Sequence, residues 1–95
     1  MSSDKLPLVG TVQCLHYYQL RDGEGVAFIH TMSAKGSLMH CLGNVHLWDE
    51  NEEAFAPIVN CQWNLDGSND FFKDGSWDLV VDLGLRQPFK RPVKL

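Results

Sequence analysis

Between Phe55 and Leu85 apolar and polar side chains alternate along the chain. Val59, Cys61, Trp63 and Leu65 take turns with Asn60, Gln62 and Asn64, and Trp77, Leu79, Val81 and Leu83 take turns with Asp78, Val80 and Asp82. A period of two puts one set of side chains on a buried face and the other toward water. The pattern predicts long strands over Pro57–Leu65 and Ser76–Leu85, forming a half-buried antiparallel pair joined by the polar loop 66–75.

The same logic extends toward the N-terminus. Leu8–Leu20, rich in Val, Thr and Tyr, predicts a long first strand that bends near Gly10. Asp22-Gly23 marks a hairpin turn into Val26–Met32, where apolar residues on both phases predict cover on both sides. After a turn at Ser33–Gly36 comes Leu38–Trp48, with Met39, Cys41, Val45 and Leu47 on its apolar phase. Asp49 followed by Glu52 has capping-box spacing, so one short helix is expected near 49–55, ended by Pro57.

These elements give an all-β fold. A small five-stranded antiparallel barrel of OB type fits the order, and an up-and-down barrel or sandwich uses the same strands. In layout alone the chain resembles the small single-stranded-DNA-binding barrels of filamentous phages, which also carry a late strand pair with a polar loop and a basic final segment. The layout supports a single-stranded nucleic-acid binder as an alternative, with Tyr17, Tyr18, Phe28 and Trp48 stacking on bases and Arg21, Lys35, Arg86, Lys90 and Arg91 meeting phosphates.

Size and charge narrow the choice. At 95 residues the chain is one domain, residues 1–95, with a basic, proline-containing tail over 86–95. Residues 1–85 hold twelve acids against Lys5, Arg21, Lys35 and Lys73, a net of −8, and the last ten residues carry +4. An acidic body repels polyphosphate, which opposes the nucleic-acid reading. No apolar run reaches the ~18 residues that span a bilayer, and no secretory pattern opens the chain. Three cysteines without a CxxC pair fit reduced thiols, so a cytoplasmic protein without membrane association is expected.

Candidate chemistry is sparse. His16, His30, His40 and His46 invite a metal reading, but His40 and His46 stand roughly 20 Å apart along one strand and cannot chelate together. Cys14 and His16 supply two ligands at most. No cofactor or metal is expected, and half-buried histidines bonded to neighbours are the preferred reading. Asp66, Ser68 and Asp70 copy the front of a calcium loop, yet Phe71 and Trp77 replace its glycine and glutamate, leaving an Asp- and Asn-rich turn. The polar phase Asn60, Gln62, Asn64, Asp78 and Asp82, joined by His40, Asn44 or His46, reads as a solvated sheet face. A small-molecule binder or small enzyme using His and Asp groups at a barrel mouth is a further alternative.

The aromatic residues carry more. Phe71-Phe72, between Asp70 and Lys73, cannot both be buried locally, and exposed aromatic pairs mark contact surfaces. The expected role is therefore a non-catalytic interaction module that self-associates as a homodimer or takes another protein partner. Its contacts would be Trp48, Phe71 and Phe72, with Arg86, Lys90 and Arg91 reaching an acidic patch.

Overall fold

The computed structural model describes residues 7–36 and 38–88. Five strands follow in order: β1 (Tyr17–Leu20), β2 (Val26–Lys35), β3 (Leu38–Asp49), β4 (Ala54–Asn64) and β5 (Leu79–Gly84). All are antiparallel to their neighbours, and the sheet order is β4-β3-β2-β1-β5. Four strands form a meander, and a long connection then returns β5 beside β1, the Greek-key move with one extra strand. The all-β, five-stranded antiparallel expectation holds.

Four finer expectations do not. First, the sheet is open, with β4 and β5 as its two edges rather than a hairpin pair. One end is knitted together by the segment before β1 instead. Val9 N donates to Leu79 O, Gly10 N to Asp66 O and Val12 N to Leu65 O, and Leu79 N donates to Gly67 O. Second, Leu8–Leu20 is not one strand: only Tyr17–Leu20 is, and Leu15 sits at φ 68. Third, no helix forms near 49–55. Asp49 does cap, but its Oδ1 accepts the amides of Asn51 (2.9 Å) and Glu52 (3.4 Å) in the turn that closes the β3–β4 hairpin. Glu53, at φ 51, then turns the chain into β4. Fourth, the last strand starts at Leu79, because Ser76–Asp78 belong to the loop that precedes it.

Alternation decides the core. Trp63, 1% exposed, and Leu79, fully enclosed, are buried as the pattern requires. They pack with Tyr18, Ile29, Cys41 and Val45 from the three inner strands. The ends of the same phase stay wet: Val59, Leu65 and Leu85 are exposed. They lie where an edge strand or a strand end has nothing opposite to cover it. Pro57 sits in edge strand β4 beside a register shift opposite Val45 and His46, the place a residue without an N–H is tolerated. Gly43 is dictated by contact, since a Cβ there would lie 1.9 Å from the Phe28 carbonyl oxygen.

The opposite face is not simply solvated. Val26, His46 and Phe55 are buried on it, with Tyr17, Phe28 and Trp48 half-buried around them. Tyr17 and Phe28 rings lie 4.6 Å apart, Tyr17 meets His46 edge-on, and Trp48 meets Phe55 edge-on. β2 is thus covered on both sides, as its pattern predicts. Neither His46 ring nitrogen has a hydrogen-bond partner among the described residues, and burial holds its pKa below the ordinary value.

Gly43→Ala should cost about 1–3 kcal/mol in urea unfolding, the range for overpacking, with Cβ forced against β2. His46 fixes a pH dependence. The unfolded chain binds a proton near pH ~6.5 while the folded ring resists it. Stability is therefore full above that pH and falls as the pH drops below it, levelling once the native ring itself protonates. His46→Leu should flatten that slope in chemical unfolding measured across pH 5–7; an unchanged slope would show that the ring is not the proton acceptor.

Candidate functional site

The β4–β5 connection is built around Asn69, a residue that sequence patterning passes over. Asn69 is 6% exposed. Its Oδ1 accepts the amides of Phe71 (2.9 Å) and Phe72 (3.3 Å). Its Nδ2 donates to Gln62 O (2.9 Å) and lies 3.2 Å from Cys61 Sγ. One side chain therefore turns the loop and ties it to β4.

Asp78 fixes the other end. It is 9% exposed. Oδ1 accepts Asn69 N at 2.8 Å, and Oδ2 accepts Arg21 Nη1 at 2.7 Å. A buried carboxylate is tolerable only when paired and hydrogen-bonded, and both oxygens are engaged. Arg21 also reaches Gly75 O at 3.4 Å. Gly75 is required there: its φ is 79, and a Cβ would come within 2.6 Å of Arg21 Nη1. Smaller turns complete the loop. Asp66 Oδ1 accepts both the amide and the hydroxyl of Ser68, which holds the Asp66 carboxyl below the usual carboxylate range. The calcium-like spacing is thus spent on a local turn.

The network presents an aromatic knuckle. Phe71 is 71% exposed and lies 4.9 Å from Phe72, ring to ring. Both rest on Trp77, at 5.9 and 4.8 Å. Trp77 O in turn accepts Trp63 Nε1 at 2.8 Å, which couples the knuckle to the main core. Between the knuckle and the flank of β4 lies a groove of about 420 Å³. Val59, Cys61, Trp63, Phe71 and Trp77 give it apolar walls, and Asn60, Gln62, Asn64 and Asp70 add polar groups.

The other sequence candidates scatter. Phe71 and Phe72 are surface residues, but Trp48 is half-buried against Phe55 at the opposite end of the β3–β4 hairpin. It lies roughly 30 Å of strand away from Asn64, so the three do not form one patch. Arg86 is exposed; Lys90, Arg91 and the Lys35 side chain lie outside the described residues. The proposed base-stacking set is divided too. Tyr18 is a core residue whose hydroxyl accepts Gln13 N at 2.7 Å, and burial raises its pKa. Arg21 is committed to Asp78, leaving Tyr17 and Phe28 half-buried on the other face.

Of the histidines, His16 Nδ1 meets both Asp82 oxygens at 2.9 and 3.1 Å. Gln62 Nε2 donates to His40 Nδ1 at 2.7 Å, and Asn44 Nδ2 donates to Asn60 Oδ1, as a solvated β3–β4 face would arrange them. His30, in the β2 irregularity, pairs with Thr31 Oγ1 at 2.8 Å and edges a shallow depression of about 390 Å³. Asp78, placed by parity on that polar face, instead lies in the loop network. No group of three or more metal-capable side chains converges among the described residues. Cys14, Cys41 and Cys61 are unpaired, and burial pushes the Cys41 thiol pKa up. No helix among the described residues is long and apolar enough to cross a membrane.

No family model matches the chain, and no curated protein or solved structure is similar to it.

Asn69→Ala should destabilise the fold by about 1–3 kcal/mol, because three part-buried backbone groups lose their partner. Phe71→Ala should stay within about 0.5 kcal/mol, as exposed substitutions do. Equal costs for the two, measured by denaturant unfolding, would show that the ring and not the amide network holds the loop.

Proposed function

We propose that the protein is a non-catalytic interaction module whose contact surface is the groove between β4 and the Phe71–Phe72–Trp77 knuckle. The observation that carries this reading is a large apolar ring held in water by a buried polar network. Phe71 keeps 71% of its surface exposed, while Asn69 and Asp78 below it are among the few buried polar side chains. Hydrophobic burial alone would fold the ring inward. A rigid loop that holds it out, beside an apolar groove, lowers the ordering cost of binding a partner.

The self-associating module expected from the sequence is one form of this proposal, with a second copy as the partner. The groove has the volume of a small-molecule site, but its lining holds no histidine and one carboxylate, Asp70. That lining suits a side chain of another protein better than acid–base chemistry on a substrate.

A photo-crosslinking residue placed at position 71 should trap a discrete adduct in extract of the protein's native cells. The same probe at exposed position 51, in the β3–β4 turn, should not. An adduct of twice the chain's mass identifies a second copy, and any other discrete mass a different protein. Identical patterns from the two positions would remove the groove as the contact surface.

A further inference from the structure

We infer that the groove takes an extended, cation-bearing segment of another protein, added as a short strand against the free flank of β4. This inference rests on the groove being the binding surface and goes on to say what fills it.

The first observation is backbone direction. Asn64 N donates to Ser68 O, and Gln62 O accepts from Asn69 Nδ2. Neither group points at β3, although both residues are in register with it. In an antiparallel strand every second residue directs its N–H and C=O the same way. Asn60 is the next residue of that phase, so its amide and carbonyl also face outward, into the groove that Val59–Asn64 line. The loop bonds that cover Asn64 and Gln62 do not reach either group. The chain has therefore sealed the β4 flank at Gln62–Asn64 and left it open at Asn60.

The second observation is composition. β4, Ala54–Asn64, contains no charged residue. Edge strands that must stay single commonly carry lysine or another charge as a guard. Here the only guard is Pro57, at one end of the open stretch. A strand laid on Asn60 would place alternate side chains on the groove side, against Val59, Cys61, Phe71 and Trp77. Strand addition of this kind draws affinity from backbone bonds and selectivity from the alternate pockets.

Charge chooses the occupant. Asp70 lines the groove, and the loop that carries it, residues 66–75, also holds Asp66 and Asp74 with Lys73 as its one cation. The described residues hold eleven acids against Arg21, Lys35, Lys73 and Arg86. A second copy pairing its β4 on this β4 would bring two such loops together. It would also have to run β4 past the Ser68–Asn69 segment already seated on that flank. A segment with alternating apolar residues and flanking Lys or Arg meets neither obstacle.

A random linear peptide library displayed on phage, selected against the whole protein, tests this. The expected consensus has apolar residues at every second position with Lys or Arg beside them. A synthetic peptide of that consensus should slow hydrogen exchange of the Asn60 amide and lose at least tenfold in affinity on Phe71→Ala. Replacing its Lys and Arg by Glu should weaken it by a similar factor. A consensus with helical spacing, one with no cationic bias, or no enrichment at all overturns the inference. If Phe71→Ala abolishes binding while Asn60 exchanges as before, strand addition is wrong but the groove stands as the contact surface. If Phe71→Ala changes nothing, the groove itself is wrong.

Discussion

The Asp78 carboxylate is the constraint on which the aromatic-tipped loop depends. It lies almost out of water, one oxygen on the Asn69 amide and the other on Arg21. Removing one partner from a buried ion pair typically costs about 3–5 kcal/mol, because it strands a charge. The three residues come from the β1–β2 turn, the middle of the long connection and the approach to β5. Their mutual satisfaction therefore closes three separate stretches of chain at once. Gly75 makes room for it, and the Trp63–Trp77 hydrogen bond carries the same constraint into the core.

From that knot follows a separation between the buried core and the exposed ring of the loop. The core is supplied by Trp63, Tyr18, Ile29 and Leu79, none more than 1% exposed. Phe71 lies outside that core, 71% exposed, and in the proposed reading it and the Asn60 flank of β4 are left for a partner. Binding residues on loops held by a rigid scaffold are a general arrangement. Here the scaffold extends into the loop itself through Asn69. The second apolar face, with His46 enclosed among Tyr17, Val26 and Phe55, plays no part in the groove. It adds packing to β2 and β3 at the expense of acid stability.

Much of the strand content was legible because alternation is a local signal. Trp63 and Leu79 are buried for the reason parity gives, and Asp22-Gly23 turns where its chemistry says. What parity does not contain is which strands pair. Pro57–Leu65 and Ser76–Leu85 read equally well as a hairpin or as opposite edges; the pairing of β5 with β1 makes them edges, and the segment 9–12 bridges to Leu65, Asp66 and Leu79. Asp49 shows the same limit at shorter range, since one capping side chain serves a helix start and a tight turn alike. Phe71 and Phe72 could be singled out because two adjacent aromatics cannot both turn inward. Asn69 and Asp78 could not, because their partners, Gln62 and Arg21, are fixed only by the tertiary fold. An Asp in an alternating run looks like a solvent-facing residue until a guanidinium from another part of the chain reaches it.

Residues 69–78 are held in place by the polar bonds of Asn69 and Asp78 and do not wander as a surface loop. Backbone ¹⁵N relaxation of the whole protein measures this most directly. The account predicts order parameters near 0.85 at Phe71 and Phe72, matching the strands, although their rings are exposed. Values below about 0.6 across the loop would contradict it, because a mobile knuckle needs no anchor and offers no preformed groove.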